Sequence, residues 1–354
     1  MTDFLKQALE QRLQQGLLRK LVVSDGLEDF SSNDYLGFSR LDFPISQKHG
    51  STGSRLISGN APFTEEVENY LSDFFHQEAA LLFNSGYDAN VGLFSSVPQK
   101  GDTILYDELI HASVRDGVRL SFAKSFHFTH NDLYDLEHKL QNAQGNIFVA
   151  VESIYSMDGD AAPLEAIAEL CNKHQAHLIV DEAHSGGIFG KHGEGLVSEL
   201  NLDDKIFAKL ITFGKVYGSH GAVVLGRNDL RNYLINFARS FIYTTALPPS
   251  TVERIKHVVE YSKHCQEREQ LWKNIDAYIE LAKQKNRRYN FSPIQIIACK
   301  NNEDALQKAE LLKQKGLFVK AILSPTVPQG KECLRVCLHS FNDENSLKKL
   351  INEN

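Results

Sequence analysis

The stretch "LITFGKVYGSHGAVVLG", Leu210 to Gly226, sets one lysine between two apolar runs, with Gly214 before it and a turn punctuated by Gly218 and Gly221 after it. Each run is continuously apolar rather than alternating, as strands covered on both faces are. Outward from this stretch the same kind of run recurs: "AALLF" (79–83), "DTILY" (102–106), "KSFHF" (124–128), "NIFVAV" (146–151), "HLIV" (177–180), "FAKLIT" (207–212) and "GAVVL" (221–225). Most are separated by enough chain for a crossover helix, which parallel βαβ units require. The expectation is an α/β protein built on a seven-stranded, mostly parallel sheet.

Flanking that sheet, Leu5, Leu9, Leu13 and Leu17 recur every fourth residue and predict an N-terminal helix. A polar, helix-forming stretch from Pro248 to Lys285 leads to "IQIIAC", the helix-like "EDALQKAELLKQKG", "CLRVCL" and a final helix. These read as a smaller α/β unit, giving an N-terminal segment (1–40), a large domain (41–240) and a small C-terminal domain (241–354). A chain of 354 residues favours such a division.

Bulk properties exclude several classes. A net charge of -7 gives no broad basic field for nucleic acid. Lys6, Glu10 and Arg12 interrupt the leucines of the N-terminus, and no later run is long enough to span a bilayer, so a cytoplasmic protein without membrane contact is expected. Five scattered cysteines show no paired metal spacing, and Cys333 and Cys337 read as buried thiols.

In an open parallel sheet ligands gather at the carboxyl ends of the strands. After "LLF" comes Asn84-Ser85-Gly86-Tyr87, a glycine turn opening a helix whose free N–H groups suit an anion, though a plain turn explains it equally. After "HLIV" come Asp181 and, three residues on, His184. That pair reads as a carboxylate holding a heterocyclic nitrogen protonated with an imidazole donor nearby, or as a helix cap beside a surface histidine. Lys215 follows Thr212 and Gly214, and is a Schiff-base candidate because desolvation makes a lysine amine nucleophilic near neutral pH. The alternative is a solvated loop lysine. The conjunction of these motifs in one chain order favours the chemical reading.

With "FSSNDYLGFS", "GSTGSRLISGN", "NSGYDANVGLFSS", "YSMDGDAAPL", "IVDEAHSGGIFG", "TFGKVYGSHGAVVLG" and "SPTVPQGKECLRV", the chain resembles the α-oxoamine synthases, pyridoxal-phosphate transferases of fold type I, from about residue 30 to 340. The resemblance implies that Lys215 carries pyridoxal 5'-phosphate and later moves a proton, and that Asp181 pairs with the ring nitrogen. It places His184 and Ser156 at the ring and His111 stacked on its face. The phosphate falls to Gly86, Tyr87 and Thr212, with Thr244 or Thr245 reaching in from the second subunit of a homodimer. Arg335 is implied as the carboxylate clamp for the amino acid, and Thr326 and Arg19 as contacts to the acyl substrate. Within the family the motifs stand nearest the branch that joins L-alanine to a pimeloyl thioester on coenzyme A or acyl carrier protein. His111 is left with two roles, oxyanion donor or carboxylate orienter.

The chain also departs from the family pattern. The segment from Arg40 to Gly50 is shorter than the usual helical stretch, the region before residue 30 is abbreviated, and His220 stands where relatives carry a small or apolar residue. Facing solvent is the favoured reading of His220. A sister synthase with another amino acid or acyl donor is the first rival. A dinucleotide binder is the second, and "FNSGYDANVG" lacks its G-x-G-x-x-G spacing. A non-catalytic module of the same fold is the third, and the presence of Lys215 counts against it.

Overall fold

A computed structural model describes residues 3–24 and 26–352. In chain order its strands are β1 (Glu28–Asp29), β2 (Ala79–Phe83), β3 (Thr103–Asp107), β4 (Lys124–Phe128), β5 (Ile147–Glu152), β6 (His177–Asp181), β7 (Ala208–Thr212), β8 (Ala222–Gly226), β9 (Ile294–Ala298), β10 (Leu317–Phe318), β11 (Lys320–Ile322) and β12 (Cys333–Cys337). All seven expected runs form strands, and they assemble in the order β2-β8-β7-β6-β5-β3-β4. Strands β3 to β7 pair in parallel, whereas β8 is antiparallel to both of its neighbours, so six strands run one way. The connection from β7 to β8 is too short for a crossover helix and reverses the chain.

Alternate residues of each strand enter two apolar layers, one on each face. Leu81, Ile104, Ile179, Leu210 and Val224 belong to one, and Leu82, Leu105, Val180, Ile211 and Val223 to the other. Both faces being covered, the strands read as continuous apolar runs. Strand β4 is the exception: only Phe128 is buried, and Lys124 marks it as a solvated edge.

The helices are α1 (Asp3–Gln14), α2 (Pro62–Phe74), α3 (Gly86–Ser96), α4 (Ala112–Leu120) and onward to the last at Glu344–Asn352. The expected N-terminal helix is present, but Leu5, Leu9 and Leu13 stay exposed, and Leu17 lies beyond its end. The stretch from 248 to 285 forms two helices, Pro249–Ser262 and Gln266–Gln284. Strands β9, β12 and β11 make a separate antiparallel sheet, with the helix at Asn302–Gln314 following β9. All five cysteines are free and buried. No described helix is long and apolar enough to cross a membrane.

The segment after α1 is tied to the C-terminal unit: β1 pairs with β10, the Cys337 amide donates to the Phe30 carbonyl at 2.8 Å, and Ser340 Oγ donates to Leu36 O at 2.9 Å. The stretch after Arg40 runs without helix to residue 61. Residues 38 and 39 also meet the loop between β7 and β8 at Gly218. Its φ is +53°, and a Cβ there would lie 2.1 Å from the Ser39 nitrogen. Arg254 donates to both Gly218 O and Phe38 O, locking the approach. Gly218→Ala is therefore expected to lower stability by about 2–3 kcal/mol, read from urea unfolding midpoints; an unchanged midpoint would remove this contact from the account.

Candidate active site

The parallel strands deliver their carboxyl ends to one cavity of about 200 Å³, lined by Gly86, Tyr87, Asn90, His111, Ser113, Glu152, Asp181, Thr212, Lys215 and His220, among others. Helix α3 opens there after β2, with Ser85 as its cap: the serine Oγ accepts from the Asp88 amide. The first-turn N–H groups at Gly86 and Tyr87 face no intrahelical acceptor. Gly86 lies so close to β7 that a Cβ would meet Thr212 Cγ2 at 2.5 Å. Thr212 Oγ1 itself is buried without a partner. A helix start, a close glycine and an orphaned hydroxyl together form a cradle for an anion.

Asp181 accepts on both oxygens, from Asn90 Nδ2 at 2.8 Å and from the Ala183 amide at 3.0 Å. Asn90 also donates to Ser113 Oγ, which in turn pairs with His111 Nδ1 at 2.8 Å. His111 caps α4, and burial pulls its pKa below the ordinary histidine value. Lys215 Nζ meets His184 Nε2 at 3.0 Å, and His184 Nδ1 meets the Tyr35 hydroxyl at 2.7 Å. Burial, reinforced by the charge of Lys215, pushes the His184 pKa far down, so the ring is neutral. Burial likewise lowers the Lys215 pKa, against the opposing pull of Asp181 and Glu152.

Glu152 ends β5 directly beside Asp181 on β6. One of its oxygens accepts from the Ser156 amide at 3.0 Å, and the other, Oε1, is buried without a partner. Burial, and then the neighbouring Asp181 charge, push its pKa up to about 8.

Residues 25–353 match the family model for aminotransferase class I and II. An 8-amino-7-oxononanoate synthase of Emericella nidulans is 40% identical, covering 96% of this chain and 92% of its own length. One from Lysinibacillus sphaericus is 37% identical over 100% and 97% of the two chains. Among solved structures, a serine palmitoyltransferase of Sphingomonas wittichii superposes with a TM-score of 0.90 at 27% identity, covering 99% of this chain and 96% of its own. The 8-amino-7-oxononanoate synthase of Francisella tularensis gives 0.81 at 30% identity, covering 93% and 97%.

The chain belongs to the aminotransferase class I and II family.

Within that family it is an α-oxoamine synthase, an acyltransferase of fold type I that uses pyridoxal 5'-phosphate. The residues fit that cofactor: an anion cradle with an orphaned hydroxyl, a buried carboxyl group and a lysine line the same cavity. Of the residues expected from sequence, the cavity gathers Gly86, Tyr87, His111, Asp181, Thr212 and Lys215, with His184 bonded to the lysine. Ser156 touches it indirectly, through its amide on Glu152 and its carbonyl on Arg335 Nε at 2.7 Å. Within the chain Thr244 and Thr245 both accept from Asn84 Nδ2, and Thr244 lines a separate small pocket with Arg55. Arg19 and Thr326 are exposed, outside the cavity lining. His220 is exposed and borders the cavity mouth.

Sequence reasoning missed Asn90, Ser113 and Glu152, along with Tyr35 and Asn33. Glu152 follows "NIFVAV" at a strand end, and the rule that selected Asp181 would have selected it too. His130 was missed as well. It pairs with Asp107 through Nδ1 and with Asp160 through Nε2, which raises its pKa to about 10 against the cost of burial. This imidazolium ties the loop leading to His111 to the loop holding Ser156.

The Glu152 shift has a measurable sign. The folded chain holds this proton more tightly than the unfolded one, so the residue costs nothing below the ordinary glutamate range and progressively more as pH rises to about 8. Glu152→Gln is expected to flatten that loss, leaving the cofactor-free variant more stable than the parent at about pH 9 but not at about pH 5, as read from urea unfolding. Equal differences at both pH values would contradict a protonated Glu152.

Proposed function

We propose that the chain condenses L-alanine with a pimeloyl group carried as a thioester on coenzyme A or acyl carrier protein, releasing CO2 and the free thiol and forming 8-amino-7-oxononanoate. The observation that supports it is the convergence of Lys215, Asp181 and His111 on one cavity, in an α-oxoamine synthase of biotin biosynthesis whose relatives carry that name at 37–40% identity.

When bound, pyridoxal phosphate supplies an electron sink that stabilises negative charge on the Cα of the amino acid. Asp181 would hold the ring nitrogen, and the start of α3 with Thr212 the phosphate. Lys215 is suited to take the Cα proton and return it, because burial lowers its pKa and so favours the neutral amine. Arg335 is preset as the carboxylate clamp: Ser156 O, Asn33 Oδ1 and Cys337 Sγ hold its guanidinium, and a planar fork matches two oxygens. His111 lines the cavity with its Nδ1 committed to Ser113, which leaves Nε2 for substrate. The cavity residues belong to the proposed large domain, 41–240, while Arg335 comes from the proposed small domain, 241–354, so the amino acid would bind where the two meet.

A second reading, serine with a long acyl chain, draws on the superposition with the serine palmitoyltransferase. The mass of the product decides: L-alanine with pimeloyl thioester is expected to yield the amino ketone, and turnover of serine with palmitoyl thioester alone would replace the first reading by the second. Borohydride should fix the cofactor to the peptide containing Lys215, and Lys215→Ala should lose both the adduct and at least about 1,000-fold in kcat. An adduct on another lysine would remove Lys215 from its role.

A homodimer is also proposed. Leu5, Leu9 and Leu13 of α1, Leu56 and Ile57 of "GSTGSRLISGN" and Tyr243 next to Thr244 are all exposed, which supports burial against a second copy. Light scattering is expected to give about twice the chain mass of 39.9 kDa; a fully active monomer would contradict it.

A further inference from the structure

We propose that Tyr35 is a positioning residue that fixes the tautomer of His184, holding the ring proton on Nδ1 so that Nε2 meets Lys215 as a hydrogen-bond acceptor. The argument starts at Arg335, because a guanidinium can only donate. Its Nη2 donates to Asn33 Oδ1 at 3.1 Å, which fixes the orientation of that amide: turned over, its NH2 would face the guanidinium donor. The Tyr35 hydroxyl lies 3.1 Å from the same Oδ1 and must spend its single hydrogen there, since otherwise two acceptors would face each other. A hydroxyl so committed can only accept from the other side. His184 Nδ1, 2.7 Å away, therefore carries the ring proton. The ring is neutral, so Nε2 has a free lone pair, and the Lys215 amine at 3.0 Å donates to it. Donation thus runs from Lys215 through His184 and Tyr35 to Asn33 Oδ1, which also accepts from Arg335 on its other side.

This reverses the donor role that the sequence pattern suggested for His184. An acceptor favours the protonated form of whatever faces it: the ammonium of Lys215 in the cofactor-free chain, and a hydroxyl proton of any ring bound there. The tyrosine is well built for the task. It is fully buried, and burial pushes its pKa far above the ordinary value, so it stays a neutral phenol. The groups facing the relay are few: Arg335 and Cys337 at Tyr35; Lys215, Arg335 and His111 at His184; Asp181, Glu152 and Arg335 at Lys215. None of the groups beside His184 is an acid that would protonate its ring fully.

Two measurements test this on the full-length chain freed of cofactor by dialysis. In protein labelled with 15N-histidine, the His184 resonances, assigned by their absence in His184→Gln, are expected to show a protonated Nδ1 and an unprotonated Nε2. Protonation at Nε2 in the unsubstituted protein would overturn the proposal, and this measurement needs no variant at position 35. In Tyr35→Phe the Nδ1 proton loses its acceptor and moves to Nε2, so the Lys215 ammonium loses its support. The rate at which added pyridoxal phosphate is captured, followed by its visible band against pH, is then expected to have its midpoint about one pH unit lower, the equivalent of one hydrogen bond. An unchanged tautomer together with an unchanged midpoint in Tyr35→Phe would also overturn it. The NMR result is independent of which amino acid or thioester the enzyme uses, so it can fail while the product assay succeeds, and the reverse.

Discussion

Two carboxyl groups buried side by side, Glu152 at the end of β5 and Asp181 at the end of β6, are the constraint from which the rest of the site follows. Neighbouring buried like charges repel, which favours the neutral form of one group. The environment decides which. Asp181 receives two directed donors, Asn90 and the Ala183 amide, whereas Glu152 receives one and leaves Oε1 without a partner. Glu152 is thereby held as the carboxylic acid, its pKa pushed up to about 8 by burial and then by the Asp181 charge.

Around that pair the fold acts as a set of clamps between loops distant in sequence. His130 spans Asp107 and Asp160 and so joins the loop carrying His111 to the loop carrying Ser156. Gly218 allows the loop after Lys215 to touch residues 38 and 39, which brings the Asn33–Tyr35 segment beside the lysine. The same segment is held from behind by β12 and the strand pair β1–β10. Arg335, on β12, enters the site by this route.

Much of this was legible in the sequence, for physical reasons. The sheet is covered on both faces, so its strands are continuous apolar runs, and strand ends in such sheets carry ligands; Thr212, Lys215 and Asp181 were found that way. What was not legible depends on the lateral order of strands. Glu152 follows an apolar run and was open to the same strand-end rule, but that it lies directly beside Asp181 is known only once β5 is seen next to β6. Nothing in spacing joins Tyr35 to His184, since their meeting depends on the N-terminal segment threading between two sheets. The short link from Thr212 to Ala222 did contain the signal that β8 runs backwards, because it has no room for a crossover helix. Thr244, Thr245, Arg19 and Thr326 lie away from the cavity of their own chain.

The proton held by Glu152 is the claim on which the chemistry of the cavity rests, and infrared spectroscopy reads it directly. Near pH 6 the spectrum of the cofactor-free protein minus that of Glu152→Gln is expected to show the C=O stretch of a buried carboxylic acid, a difference band that fades as pH rises past about 8 and leaves aside the other buried acid, Glu182. A difference spectrum without that band would contradict the account.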